Sequence, residues 1–311
     1  MRAEGSTLSA EEGERRDLVV RLVRDLFVGP REAIKTWARI TRQTAQVRLA
    51  YPGQHLASVV TGIPGRGSAA RGDDLQDGTE VKSCSRVDQL GRCKECQSRV
   101  SPYDEVCPEC GSDRVDRKTD SHWIFPIRTE EELKRLLSLP RVLLVLFDGD
   151  DASGIRLRIW RVDPAEPYVR AFFEDYYYNN YLVKAKSGGS PAPCNLHPLK
   201  YDFYLMSPCL VFDLRITGED IAIEHLDLDN QVPEPIPTSI LKSAEIPALA
   251  QELMPGHGLS AAALASVFRE RIPRITDRGR ELLRMREKRI KTSRGVYLRE
   301  SQRKRGSSPS K

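Results

Sequence analysis

Two Cys-x2-Cys pairs, Cys93/Cys96 and Cys107/Cys110, stand ten residues apart in the middle of this 311-residue chain. Each pair predicts a knuckle, a tight turn whose backbone N–H groups point at thiolates, and four thiolates suit one tetrahedral Zn2+. Seven cysteines, four of them so paired, fit a reducing cytoplasm and a metal better than disulfides. Four thiolates fill the coordination sphere and leave no position for water or substrate, so the zinc is expected to be structural. A ribbon over residues 84–118 should therefore interrupt a larger fold. Cys84 lies at its edge and reads as a buried free thiol. Cys194 and His197 have ligand-like spacing, but no second pair lies nearby and no second zinc is expected.

The chemistry precedes the ribbon. A glycine-rich loop, Gly62-Ile63-Pro64-Gly65-Arg66-Gly67, leads through Gly72 into Asp73-Asp74-Leu75-Gln76-Asp77-Gly78-Thr79-Glu80-Val81-Lys82. Asp77-Gly78 predicts a hairpin, because a tight turn needs residues that tolerate positive φ. Glu80 and Lys82, two apart on a strand, leave the same face. A two-residue turn would place Asp73 beside them. A three-residue loop with Gly78 in a bulge places Asp74 there and turns Leu75 to the core with Val81, which favours Asp74. Two carboxylates, the Val81 carbonyl and a lysine suit Mg2+-dependent phosphodiester cleavage. Taken alone, Glu-x-Lys on a strand is usually a solvated charged face. Gln54 or His55, on the helix before the hairpin, could add a polar group, although a surface or capping role is the commoner fate.

The run from Thr61 to Gly67, and again from Glu80 through Cys84 to Gly91, resembles the PD-(D/E)xK nuclease superfamily and more narrowly the MamI family of type II restriction endonucleases. The resemblance extends to Cys194-Asn195-Leu196-His197-Pro198 and Tyr201-Asp202-Phe203-Tyr204; Gly72 replaces the superfamily's usual Pro before the first Asp. It implies an α/β fold, a restriction-endonuclease-like mixed sheet flanked by helices. It also implies Mg2+-dependent cleavage of double-stranded DNA at an interrupted palindrome of the GAT(N)4ATC kind, a homodimer, and a methyltransferase encoded nearby. Two rivals are another PD-(D/E)xK nuclease of repair or a mobile element, and a non-enzymatic zinc-ribbon DNA-binding regulator. No Gly-x4-Gly-Lys-[Ser/Thr] loop for ATP is present.

Charge supports a polyanionic partner. The net charge is only +5, yet residues 269–311 hold 16 Lys/Arg against 5 Asp/Glu. Arg66, Lys184, Lys186, Arg284, Lys288 and Lys291 are the candidate DNA contacts, with Lys184–Ser190 a basic flexible loop. The N-terminus is polar without a secretory leader, and the longest apolar run, Val142 to Phe147, is too short for a bilayer, so a cytoplasmic protein with no membrane partner is expected. Three regions follow: an N-terminal helical region (1–61), a catalytic core holding the ribbon (62–230), and a basic helical C-terminal region (231–311).

Within these, Ser9 and Glu12 form a capping box for a helix carrying Leu18, Val19, Leu22, Val23, Leu26 and Phe27. Gly29-Pro30 should end that helix, and a second should carry Ile34, Trp37 and Ile40 on one side. Tyr51-Pro52-Gly53 reads as a break before a short helix from Gln54. Thr129 and Glu132 cap another helix, Arg141–Phe147 is a fully buried strand, and the acidic run from Asp148 to Asp151 is its turn. Ile155–Val162 and Leu210–Ile223 read as further strands. The aromatic stretch Tyr168–Tyr181 has helical core spacing. Val232–Pro237 is a stiff linker, followed by helices over 239–253, 260–271 and 276–289.

Overall fold

The computed structural model describes residues 12–41, 43, 47–67, 73–87, 89–101, 104–117, 120–150, 154–234, 288, 290–298 and 300. Its first helix, α1 (Glu12–Val23), runs through a π-helical turn at Arg24–Val28 into α2 (Gly29–Thr41). Gly29-Pro30 therefore does not stop the helix. The Gly29 N–H reaches back to the Arg24 carbonyl in the wider π turn, and the helix carries on through Pro30. Helix α2 leaves Trp37 and Ile40 exposed and buries only Ala38. Helix α3 (Ala50–Thr61) starts earlier than expected because Pro52 suits a first turn. Gly53 lets α3 approach the sheet, since a Cβ there would lie 1.8 Å from Ser83 Oγ.

Next come β1 (Glu80–Ser85), β2 (Gly91–Cys93), β3 (Arg99–Val100), β4 (Val115–Asp116), β5 (Trp123–Phe125), α4 (Glu130–Leu137), β6 (Val142–Asp150) and β7 (Gly154–Val162). They are followed by α5 (Pro167–Asp175), a π turn at Tyr176–Tyr181, α6 (Leu182–Lys186), β8 (Cys194–Leu196), α7 (Tyr201–Leu205), β9 (Cys209–Thr217) and β10 (Asp220–Leu226). A five-stranded mixed sheet has the order β1-β6-β7-β9-β10. Only β1 and β6 pair in parallel. Strand β6 lies between two neighbours, and Val142–Phe147 are buried on both faces, which is why this strand shows no alternation. One sheet face, with Val81, Val145, Phe147, Ile159 and Phe212, packs on Val19, Val23 and Phe27 and on Leu56, Ala57 and Val60 of α3. Glu80, Lys82 and Cys84 alternate onto the opposite face.

The hairpin expected at Asp77-Gly78 does not form. Residues 73–79 fold into a compact turn in which the Asp74 and Leu75 N–H groups both donate to the Thr79 carbonyl, at 3.0 and 3.1 Å. Gly78 takes φ 89°, and Leu75 forms an isolated bridge with Gly65. Glu80 pairs instead with Val142, and β1 joins the sheet as the parallel neighbour of β6. The acidic turn is also displaced. Asp148 lies within β6 and bridges Arg158 at 2.9 Å and Arg86 at 3.7 Å.

The described residues fall into two compact units. One draws on the chain up to Trp123, Pro140–Val162 and Cys209–Val232; the other on Ile124–Leu139, Asp163–Pro208 and the chain from Pro233 onward. The first holds the five-stranded sheet and the ribbon sheet, ordered β3-β2-β4 around Cys93, Val100 and Cys107. The second holds α4, whose Thr129–Glu132 capping box has both its bonds. It also holds an aromatic core of Phe173, Tyr177 and Tyr178. Residues 290–298 are helical there. Ile290 is buried, Tyr297 meets Tyr177 and Tyr178 edge-on, and Ser293 bonds Asn179 at 2.6 Å. Lys184 and Lys186, expected on a flexible loop, sit on α6. Ser9, Arg284, residues 235–237, and the helices over 239–253, 260–271 and most of 276–289 lie outside the described residues.

Candidate active site

Strand β1 and the turn before it bring Asp74, Glu80 and Lys82 together. Asp74 Oδ2 accepts the Val81 N–H at 2.7 Å, which draws this side chain in between the two strand residues flanking Val81. Lys82 Nζ donates to Glu80 Oε1 at 2.5 Å. From α3, Gln54 Nε2 donates to Asp74 Oδ1 at 2.5 Å, so Gln54 is no mere surface residue; His55 is exposed. Asp73 turns away, toward Arg66 at 3.5 Å. Burial pushes the Asp74 carboxyl up, and Glu80's charge adds to this against the opposing pull of the Val81 N–H and Lys82.

A buried carboxylate beside a second carboxylate is strained by like charge, and a divalent cation between hard oxygen donors relieves that strain. The donor set of Asp74, Glu80 and the Val81 carbonyl therefore fits such a cation. Both Asp74 oxygens already accept one hydrogen bond, yet each carboxylate oxygen keeps a further lone pair. Cys84, two residues past Lys82, is buried, and burial pushes its thiol up to about 12.

The four ribbon sulfurs lie within 4.8 Å of one another. Cys93 and Cys110 approach to 3.6 Å and Cys96 and Cys107 to 3.5 Å, close to the edge of about 3.8 Å that Zn–S bonds of about 2.3 Å give a tetrahedron. Two matching knuckles build this cluster. Cys93 N–H bonds the Ser98 carbonyl and Gln97 N–H the Cys93 carbonyl; Cys107 N–H bonds Ser112 and Gly111 N–H bonds Cys107 in the same way. Gln97 and Gly111 both take positive φ, 63° and 72°. The Ser98 hydroxyl and the Cys110 and Glu109 N–H groups hold the Cys107 thiol down, to about 6, against some burial. These four cysteines lie close enough together to hold a metal ion.

The candidate DNA contacts are more scattered. Arg66 belongs to the turn beside Asp73, whereas Lys184, Lys186, Lys288 and Lys291 belong to the second unit, exposed, with Lys186 paired to Glu300. Arg141 was passed over in the sequence because it looks like the first residue of a strand. Its guanidinium instead bonds Thr79 Oγ1 at 2.7 Å and the Asp77 carboxylate.

Comparison with known proteins completes the picture. A family described as MamI restriction endonuclease matches residues 36–239. The type II restriction enzyme MamI of Microbacterium ammoniaphilum is 30% identical over 232 residues, 70% of this chain and 67% of that protein. No solved structure matches the chain.

Proposed function

Because the chain belongs to the MamI restriction endonuclease family, we propose that it is a type II restriction endonuclease, cutting double-stranded DNA with Mg2+ at an interrupted palindrome of the GAT(N)4ATC kind. The observation that carries the reading is the convergence of Asp74, Glu80 and Lys82 around Val81 within the stretch the family match covers.

Asp74, Glu80 and the Val81 carbonyl would hold the catalytic Mg2+. Bound there, the cation supplies charge neutralisation at the phosphate and a water of lowered pKa. Gln54 orients Asp74 through Oδ1. Lys82, anchored on Glu80, aims its ammonium at the attacking water or the phosphate oxygen. The four cysteines hold a structural Zn2+. Arg66, Lys184, Lys186, Arg284, Lys288 and Lys291 contact phosphates without reading sequence. An interrupted palindrome is matched by a symmetric homodimer, and a methyltransferase encoded nearby would protect the host sites. No helix among the described residues is long and apolar enough to cross a membrane, and the thiolate ribbon suits a cytoplasmic location.

Plasmid digestion with Mg2+, with and without EDTA, tests this. A discrete fragment set that EDTA abolishes is expected. Binding without cutting would point to a zinc-ribbon regulator, and structure-dependent nicking to a repair or mobile-element nuclease.

A further inference from the structure

The turn between Asp74 and Glu80 is hydrogen-bonded to the neighbouring strand through Arg141. Arg141 precedes β6. Its Nε donates to Thr79 Oγ1 at 2.7 Å, another guanidinium nitrogen donates to the Asp77 carboxylate, and its own carbonyl accepts the Glu80 N–H at 3.3 Å. Inside the turn, Asp77 Oδ1 accepts the Thr79 N–H at 3.0 Å. The Thr79 carbonyl receives the Asp74 N–H, and the Thr79 side chain is fully buried. Pro140 packs beneath Gly78, where a Cβ would come within 3.3 Å of its ring.

Two like charges must be held at one spacing before any cation arrives, and their repulsion opposes that spacing. Asp74 and Glu80 sit on opposite ends of the turn, so the turn's shape sets their separation. Displacement of a reacting group by about 1 Å can cost on the order of a hundredfold in rate. We propose that Arg141, with Asp77 and Thr79, is a positioning residue that fixes the distance between Asp74 and Glu80 and thereby the affinity and placement of the catalytic cation. This rests on the reading that those two carboxylates bind the metal. The planar fork matters as well as the charge, because one guanidinium presents separate nitrogens to a carboxylate and a hydroxyl in a fixed geometry, whereas an ammonium is a single point charge on a flexible stem.

The test is Mn2+ affinity of the full-length protein, followed by electron paramagnetic resonance, beside zinc content and melting temperature. Outer-sphere partners of a metal site alter affinity about 10- to 100-fold. Arg141→Gln is expected to weaken Mn2+ binding at least about tenfold with zinc content unchanged, and Arg141→Lys to recover only part of the loss. A lowered melting temperature with wild-type Mn2+ affinity would mean a purely structural link and overturn the proposal. Asp74→Asn separates the two readings. If it loses Mn2+ while Arg141→Gln keeps it, the metal site stands and the clamp fails. If Asp74→Asn keeps Mn2+, both fall. Should Arg141→Gln give no soluble protein, Asp77→Asn cuts the same link from a more exposed side chain, and wild-type affinity there overturns the proposal equally.

Discussion

Asp74 and Asp73 are adjacent in sequence and opposite in circumstance. Asp74 is held by Val81 and Gln54, whereas Asp73 leans on the exposed Arg66. Asp74→Asn should therefore abolish cleavage while keeping the fold, since the amide oxygen still accepts the Val81 N–H; Asp73→Asn should retain a measurable rate. Single-turnover cleavage of a supercoiled plasmid ranks them, and the reverse order would move the site to Asp73. Lys82→Ala should lose cleavage and keep DNA binding; near wild-type cutting would remove Lys82 from the site. Asp77 gives a pH signature. Some burial pushes its carboxyl up, but the Thr79 hydroxyl and N–H and the Arg141 guanidinium outweigh this and hold it below the ordinary value. A depressed carboxyl stabilises the folded state above its unfolded pKa of about 3.9 and loses that contribution as pH falls through the folded value. The melting-temperature gap between wild type and Asp77→Asn should thus be full at neutral pH and close in acid. Because the pair is partly exposed, the gap should correspond to no more than about 1 kcal/mol.

The ribbon behaves as one element, because its buried core is little more than two of the four cysteines, Val100 and Val115. A structural four-thiolate zinc contributes on the order of 10 kcal/mol to local folding. Cys107→Ser should give unstable or insoluble protein rather than a folded, inactive enzyme, and metal analysis of the wild type should find one Zn2+ per chain. Less than that would remove the zinc assignment. This element was legible from sequence because every ligand lies within eighteen residues and carries its own turn. The same holds for the Thr129–Glu132 cap and the apolar run of β6, whose signals are local. Strand β1 was recognised, but its partner was not. Asp77-Gly78 signals a turn, and nothing nearby tells a hairpin from a turn whose second arm joins a strand beginning at Val142. Arg141 escaped for a related reason: it acts on residues about sixty positions back along the chain. The stop expected at Gly29-Pro30 failed because the helix continues as a π turn at Arg24–Val28 into α2, a possibility that local propensity does not weigh.

At the scale of the whole molecule, the concentration of positive charge after residue 269 predicts how DNA is held. Arg284, Lys288 and Lys291 replaced together by Gln should weaken binding to all sequences alike. Each lost phosphate contact should flatten the salt dependence by roughly 0.9 in log–log slope. An altered target preference with an unchanged slope would assign these residues to base reading instead. One further consequence lies in how β1 reaches its place. Its parallel partner β6 comes after the entire ribbon, β5 and α4, so the strand bearing Glu80 and Lys82 can dock only after a long segment has been looped out. Loop-closure entropy rises with the length of free chain, and non-local pairing of this kind slows folding. A metal held by the four cysteines would draw residues 93–110 into a compact bead and shorten the free chain that must close. Newly made protein starved of zinc should acquire its cutting strand late, and refolding followed by recovered activity should accelerate when zinc is supplied at the start.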